Sequence, residues 1–174
     1  TNCYTNCPQC VPARLSWLTG LEPSQIGVTK NEDIDINKKT PSIFKKLSER
    51  GWQVEIIGKT HWTSHRSSCD LRENIQLFQE KGISHIIEVA GPRALGRVKC
   101  ELTDEWEREG YLQKQIEDIK RRYAKKDEGS ALRVEPTVLP LGLYPDVWIM
   151  KKSIERLQQL PSEEPWILWI SFVG

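Results

Sequence analysis

The chain has 174 residues, enough for one domain with a real core, and its 25 Lys and Arg against 24 Asp and Glu leave a formal net charge of +1. That balance implies neither a nucleic-acid partner nor an acidic surface to bind, and no apolar run reaches the roughly 18 residues of a membrane span. Five cysteines at irregular spacing are too few for a disulfide scaffold, and their odd number leaves at least one thiol unpaired.

The opening Thr1-Asn2-Cys3-Tyr4-Thr5-Asn6 carries neither an initiator methionine nor a charged-then-apolar leader. It is therefore expected to be an internal stretch of a longer protein, and the compartment stays open. The first element is Cys10-Val11-Pro12-Ala13-Arg14-Leu15-Ser16-Trp17-Leu18-Thr19-Gly20, which reads as one short helix. Pro12 suits its first turn, and Gly20 suits the left-handed position just past its end. Cys10 then lies at or near the N-cap, where free N–H groups and the helix dipole favour an anion. Arg14, four residues on, shares its face. A nucleophile and a fixed cation at one helix start make an anion site. Cys7-Pro8-Gln9-Cys10 is also a C-x-x-C, so a thiol redox pair or, with Cys3, a metal-binding module is the competing reading.

Residues 21–40 are polar and turn-rich. The acids of Asp33-Ile34-Asp35 lack the twelve-residue pattern of a calcium loop and read as solvated. Thr40-Pro41 opens a helix with Ile43, Phe44 and Leu47 on one face, closed by Gly51. Trp52 to Ile57 reads as a buried strand. Gly58-Lys59-Thr60-His61 follows it directly, at the strand end where open α/β sheets place ligands. If the backbone stays extended, Lys59 and His61 both reach into one crevice; a surface loop with a solvated lysine is the alternative. His65, Arg66, Ser67 and Ser68 extend this loop, either lining a substrate entrance or simply exposed.

Asp70 with Glu73 begins the next helix, striped by Leu71, Ile75 and Phe78 and ended by Gly82. Ile83 to Val89 is a strand in which His85 reads as an ordinary member. From Ala90 the pattern loosens through Gly91-Pro92 and Gly96, and the region around 90–143 is expected to hold an insertion or substrate loop. Within it Leu112, Ile116, Ile119 and Tyr123 stripe a charged helix. The basic run Lys120 to Lys126 reads as its solvated end, and Glu128 to Pro145 as a connecting loop. Pro145 opens the last helix, with Val147, Met150, Ile154 and Leu157 expected to face inward. Trp166 to Val173 is a continuous apolar strand of the kind buried on both faces of a parallel sheet. Helix–strand alternation of this kind predicts right-handed crossovers and a three-layer α/β/α sandwich.

Two of these stretches carry a family resemblance. Cys10-Val11-Pro12-Ala13-Arg14 with Leu18-Thr19-Gly20 resembles the C-x-P-x-R…L-T-G signature of the type I sulfatases, with Ala13 where many members carry Ser. Gly58-Lys59-Thr60-His61 resembles their second signature, at the expected distance. The resemblance implies an alkaline-phosphatase-like fold, incomplete here, with residues 1–174 part of one catalytic domain. It implies that a formylglycine-generating maturation enzyme oxidises Cys10 to Cα-formylglycine, whose hydrate attacks the sulfur of a small-molecule or carbohydrate sulfate ester. Cys10, Arg14, Lys59 and His61 would be catalytic, with Arg14, Lys59 and His61 also binding substrate. The formylglycine made from Cys10 would ligate Ca2+, with Mg2+ as the other candidate; the family's paired aspartates, later histidine and remaining ligands are expected outside these residues, and this stretch alone is expected to be inactive. A phosphonate or phosphate monoester hydrolase of the same superfamily shares the nucleophile motif and is the nearest alternative.

Overall fold

The computed structural model describes residues 2–124 and 134–173. Thr1, Gly174 and the segment 125–133, which includes Lys126, Glu128 and Gly129, lie outside the described residues. The organising element is strand β1 (Gln53–Gly58), flanked by β2 (His85–Glu88) and β3 (Trp166–Ser171) in the order β2-β1-β3. All pairings are parallel, and the register sets Gly58 opposite both Glu88 and Ser171. The carboxyl ends of the three strands therefore finish in one row, the edge along which an α/β sheet offers its crevice.

Seven α-helices surround the sheet: α1 (Cys10–Thr19), α2 (Pro23–Ile26), α3 (Ile43–Ser48), α4 (Ile75–Glu80), α5 (Glu101–Arg108), α6 (Leu112–Ala124) and α7 (Pro145–Leu157) among the described residues. Because successive strand residues point to opposite faces, β1 feeds two cores. Val54 and Ile56 join Leu15 and Leu18 of α1, Phe44 of α3 and Phe78 of α4 on one side. Ile57 joins Trp148 and Ile149 of α7 and Leu102 and Trp106 of α5 on the other. Helices on both faces of a parallel sheet give the three-layer α/β/α arrangement that the alternation predicts. Each fully buried aliphatic side chain contributes about 1.5–3 kcal/mol, so β1 is the best-secured segment of the chain. No helix among the described residues is long and apolar enough to cross a membrane.

Local signals account for most boundaries. Ser42 caps α3 by accepting a hydrogen bond from the Lys45 N–H, and Asp70 accepts one from the Arg72 N–H where a short 3-10 turn (Leu71–Asn74) leads into α4. On α6, Ile119 is buried and Leu112 is packed against the core, while Tyr123 is exposed beneath the Arg93 guanidinium.

Two expectations are corrected, and one helix appears that the sequence pattern did not single out. The inward face of α7 is Pro145, Trp148, Ile149 and Ser153, and Met150, Ile154 and Leu157 are exposed. The helix is apolar on more than one side, and the face carrying Trp148, with more surface to bury, is the one that packs. Strand β3 is shorter than the apolar run and is not buried on both faces: Trp166 and Ile170 are 38% and 41% exposed. It lies at the margin of the sheet, paired with β1 alone among the described residues, and the core built on α7 reaches only Leu168 between them. Finally, α5 occupies part of the stretch where the sequence pattern loosens. Only Leu102 and Trp106 mark it among charged residues, yet both are fully buried.

Candidate active site

Helix α1 places the first half of the site. Its N-terminus is held from outside, by the Val11 N–H donating to Asn31 Oδ1 at 2.9 Å, because Gln9 at the N-cap offers no side-chain bond. At the other end Gly20 takes φ 73°, and its N–H returns to the Ser16 carbonyl. Burying Val11, Leu15 and Leu18 against the sheet leaves Cys10 and Arg14 turned toward the strand ends. The Arg14 Nη1 donates to the Lys59 carbonyl at 2.5 Å and to Ser171 Oγ at 2.6 Å, while the Trp62 indole N–H donates to the Arg14 carbonyl. One guanidinium thus ties α1 to the ends of β1 and β3. Burial pulls its pKa below the ordinary value, opposed by the neighbouring Cys10.

The end of β1 places the second half. Gly58 adopts φ 111°, and a Cβ there would stand 1.9 Å from the Ser171 carbonyl oxygen; only glycine fits this approach. The Lys59 N–H then donates to that same oxygen at 3.0 Å. The Lys59 side chain is only 8% exposed, and its Nζ stands 3.7 Å from Cys10 Sγ, with the backbone of Gly91 alongside. Lys59 is not a solvated surface lysine. The expected extended run does not hold either, since His61 takes φ 59°. The backbone turns after Thr60, so His61 reaches the site by a bend rather than by alternation.

Cys10, Arg14 and Lys59 are brought together directly. His61 lies within their electrostatic reach, and its pKa is lowered to about 4 by burial, then by the charges of Lys59, His65 and Arg14, with Asp33 opposing. A histidine so placed is neutral at physiological pH, and one of its ring nitrogens can accept a hydrogen bond. Behind it is a group that sequence reasoning missed. His65 is 4% exposed and stacks on His61 with ring centroids 5.3 Å apart and planes 19° off parallel. Its Nε2 lies 3.9 Å from Glu88 Oε1 at the end of β2. The four-residue spacing of the histidines was visible in sequence, but Glu88 joins them only through the parallel register. His85 is partly buried within β2, an ordinary strand residue as expected.

The resulting cleft, about 360 Å³, is lined by Cys7, Cys10, Arg14, Trp17, Trp169 and Ser171. Two fixed cations beside a sulfur at a helix N-terminus suit the stabilisation of negative oxygens around a nucleophile. The arrangement does not fit a calcium site by itself. Calcium takes about six to eight oxygen ligands, whereas Cys10 is surrounded by cations, and no cluster of three or more His, Cys, Asp or Glu side chains with metal-binding geometry occurs among the described residues. The acidic stretch exposes Asp33 and Asp35, in keeping with the solvated loop expected, and Asp35 accepts bonds from Ser64 and Arg66. Cys3, Cys7 and Cys10 are all free thiols.

This geometry can be set beside known proteins. The chain is 27% identical over 173 residues to an arylsulfatase of Clostridium perfringens (strain 13 / Type A), covering 99% of this chain and 34% of that one. Its fold is similar to the crystal structure of Ps i-CgsB, with TM-score 0.55, 16% identity, and coverage of 98% of this chain and 36% of the other. The crystal structure of Ps i-CgsB in complex with k-i-k-neocarrahexaose gives TM-score 0.52 at 14% identity, over 96% and 35% of the two chains. The chain therefore spans about a third of the length of the relatives it matches. The sulfatase family model matches residues 1–174, every residue of the chain including the Cys10–Gly20 and Gly58–His61 stretches, and the chain belongs to the sulfatase family.

Proposed function

We propose that the protein to which this chain belongs hydrolyses sulfate monoesters, using a nucleophile made from Cys10. The observation that carries the reading is the meeting of Cys10, Arg14 and Lys59: a cysteine sulfur at a helix start, 3.7 Å from a buried ammonium that is itself tied through its carbonyl to the guanidinium. Conversion of Cys10 to formylglycine by a maturation enzyme would supply, on hydration, a geminal diol able to attack the ester sulfur and later release sulfate. This chain's own residues do the rest. Arg14 and Lys59 face the developing negative charge from fixed positions, the arrangement in which electrostatic stabilisation is largest. His61, neutral because burial and the neighbouring Lys59 and Arg14 cations oppose its protonation, would hold the second hydroxyl by a hydrogen bond and help its deprotonation. Calcium would need further oxygen ligands from elsewhere in the protein, with the formylglycine made from Cys10 as the ligand this chain supplies, and would there lower the pKa of the attacking hydroxyl. Residues 1–174 alone are expected to be inactive.

The test is peptide mass spectrometry of the Cys10 segment of the full-length protein, co-produced with a formylglycine-generating enzyme. It is followed by assays on an aryl sulfate, a sulfated oligosaccharide and the matching phosphate and phosphonate esters. Loss of about 18 Da, hydrazide trapping of an aldehyde and preferential turnover of a sulfate ester support the reading, since the aldehyde is the nucleophile it requires. Preference for a phosphonate or phosphate ester would move the protein to the neighbouring activity in the same superfamily. An unmodified Cys10, or one that oxidises together with Cys7, would favour the thiol redox reading.

A further inference from the structure

We propose that His65 and Glu88 are positioning residues for His61, Glu88 anchoring the His65 imidazole and His65 fixing the plane of the His61 ring against which it lies. The inference rests on the hydrolase reading for its chemistry, but its geometry is independent of it. Glu88 ends β2 directly opposite Gly58, the last residue of β1. Its Oε1 accepts a hydrogen bond from Thr60 Oγ1, the residue between Lys59 and His61, and faces His65 Nε2 at 3.9 Å. A single carboxylate thus bonds the residue before the bend that presents His61 and faces the ring stacked against it. His61 needs such support, because φ 59° is a left-handed conformation that a non-glycine residue keeps only when its surroundings over-determine it.

The cluster is also unusual for what it leaves open. His61 Nδ1, His65 Nε2 and Glu88 Oε2 are all buried without a hydrogen-bond partner among the described residues. Buried polar atoms in folded proteins are as a rule hydrogen-bonded, so three such atoms at one place call for further partners there. The charged and titratable groups facing His61 are Lys59, Arg14, His65 and Asp33; those facing His65 are His61 and Glu88. A neutral imidazole accepts a proton on one nitrogen only, so its ring orientation decides whether the acceptor faces the cleft.

The test uses the full-length protein with formylglycine at position 10 verified by mass. His65→Ala and Glu88→Gln are expected to lower kcat by about 10- to 100-fold, the range of a displaced proton acceptor, with KM changed less than about threefold. His65→Phe, which keeps the stacked ring but loses the link to Glu88, is expected to fall between wild type and His65→Ala. On a His61→Ala background the His65→Ala change is expected to have no further effect, since a residue acting through another is not additive with it. A kcat within about threefold of wild type in His65→Ala, or an equal loss with and without His61, would overturn the proposal. Thermal denaturation of each variant identifies loss of rate that comes from loss of fold. If the wild-type protein, correctly modified, hydrolyses no ester offered, it is the hydrolase reading that fails. Positioning is then decided by NMR of 15N-histidine-labelled protein: His65→Ala must change the tautomer or titration of His61, and unchanged ring signals would overturn it.

Discussion

Strand β1 has a buried charge in its middle and another just past its end, and they are treated in opposite ways. Glu55 is fully buried and closed off: Arg156 Nε and Nη2 donate to its two oxygens at 2.5 and 2.6 Å, and the Gln53 amide donates as well. Lys59, four residues later and 8% exposed, has the sulfur of Cys10 at 3.7 Å and a second cation, Arg14, bonded to its carbonyl. Glu55 spends its charge on holding α7 to the sheet. Lys59 points its charge at Cys10, which lines the cleft. A buried charge that is fully partnered serves the fold, and one left short of partners serves a ligand.

The largest effect is expected where the two regimes join. Gly58→Ala introduces a Cβ 1.9 Å from the Ser171 carbonyl oxygen at φ 111°, and the β1–β3 pairing must yield. A loss of more than about 4 kcal/mol is expected, enough to unfold a marginal domain. Denaturant titration of the full-length protein measures it; a variant as stable as wild type would mean that the strand ends are looser than the register implies.

Next are the two charges themselves. Removing Arg156 leaves a buried carboxylate uncompensated, so Arg156→Ala is expected to cost about 3–5 kcal/mol while the surviving folded fraction keeps its kcat. The pair also sets a pH dependence. Burial raises the Glu55 pKa, but hydrogen bonds from Arg156 and Gln53 outweigh it and hold the carboxyl below its usual value. Its stabilisation is therefore full above about pH 4.3, the ordinary glutamate value, and is lost as pH falls through the lowered one. The gap between wild type and Glu55→Gln should close over that acid range and stay constant above it.

Lys59→Met should behave in the opposite way. With no carboxylate to abandon, the variant is expected to be as stable as wild type or more so, while kcat/KM for a sulfate ester falls by about 10²–10³-fold, the usual loss for one preorganised electrostatic group. If Lys59→Met unfolded the protein and Arg156→Ala silenced a stable one, the contrast between the two charges would be reversed.

The sequence carried the functional half of this contrast better than the structural half. Cys10 and Arg14 share one helix turn, so their proximity is local and legible, whereas the bend at His61 and the approach of Lys59 to Cys10 are set by the fold. The α/β class followed from the alternation of stripes and apolar runs. Glu55 with Arg156, and Glu88 with His65, are pairs made by tertiary register, which no local pattern encodes. The face of α7 failed for another reason: Val147, Trp148, Ile149, Met150, Ile154 and Leu157 offer two stripes, and periodicity cannot choose between them until the partner surface is known. Helix α5 was not legible because two buried residues among charged ones make too thin a stripe.

The smallest expected effect tests how far the site depends on its supports. Ser171 Oγ accepts one of the two bonds from Arg14 Nη1, the other going to the Lys59 carbonyl. In Ser171→Ala the guanidinium keeps its carbonyl partner and its place on α1, and only one net hydrogen bond is lost. At about 0.5–1.5 kcal/mol for such a bond, kcat should fall about two- to tenfold with little change in stability. Because Ser171 also lines the cleft, the size of the loss distinguishes two roles. A drop beyond about 100-fold exceeds what one neutral hydrogen bond supplies and would mean that the hydroxyl acts on the substrate itself, whereas a drop within the expected range leaves Ser171 as the brace that aims Arg14 at the cleft.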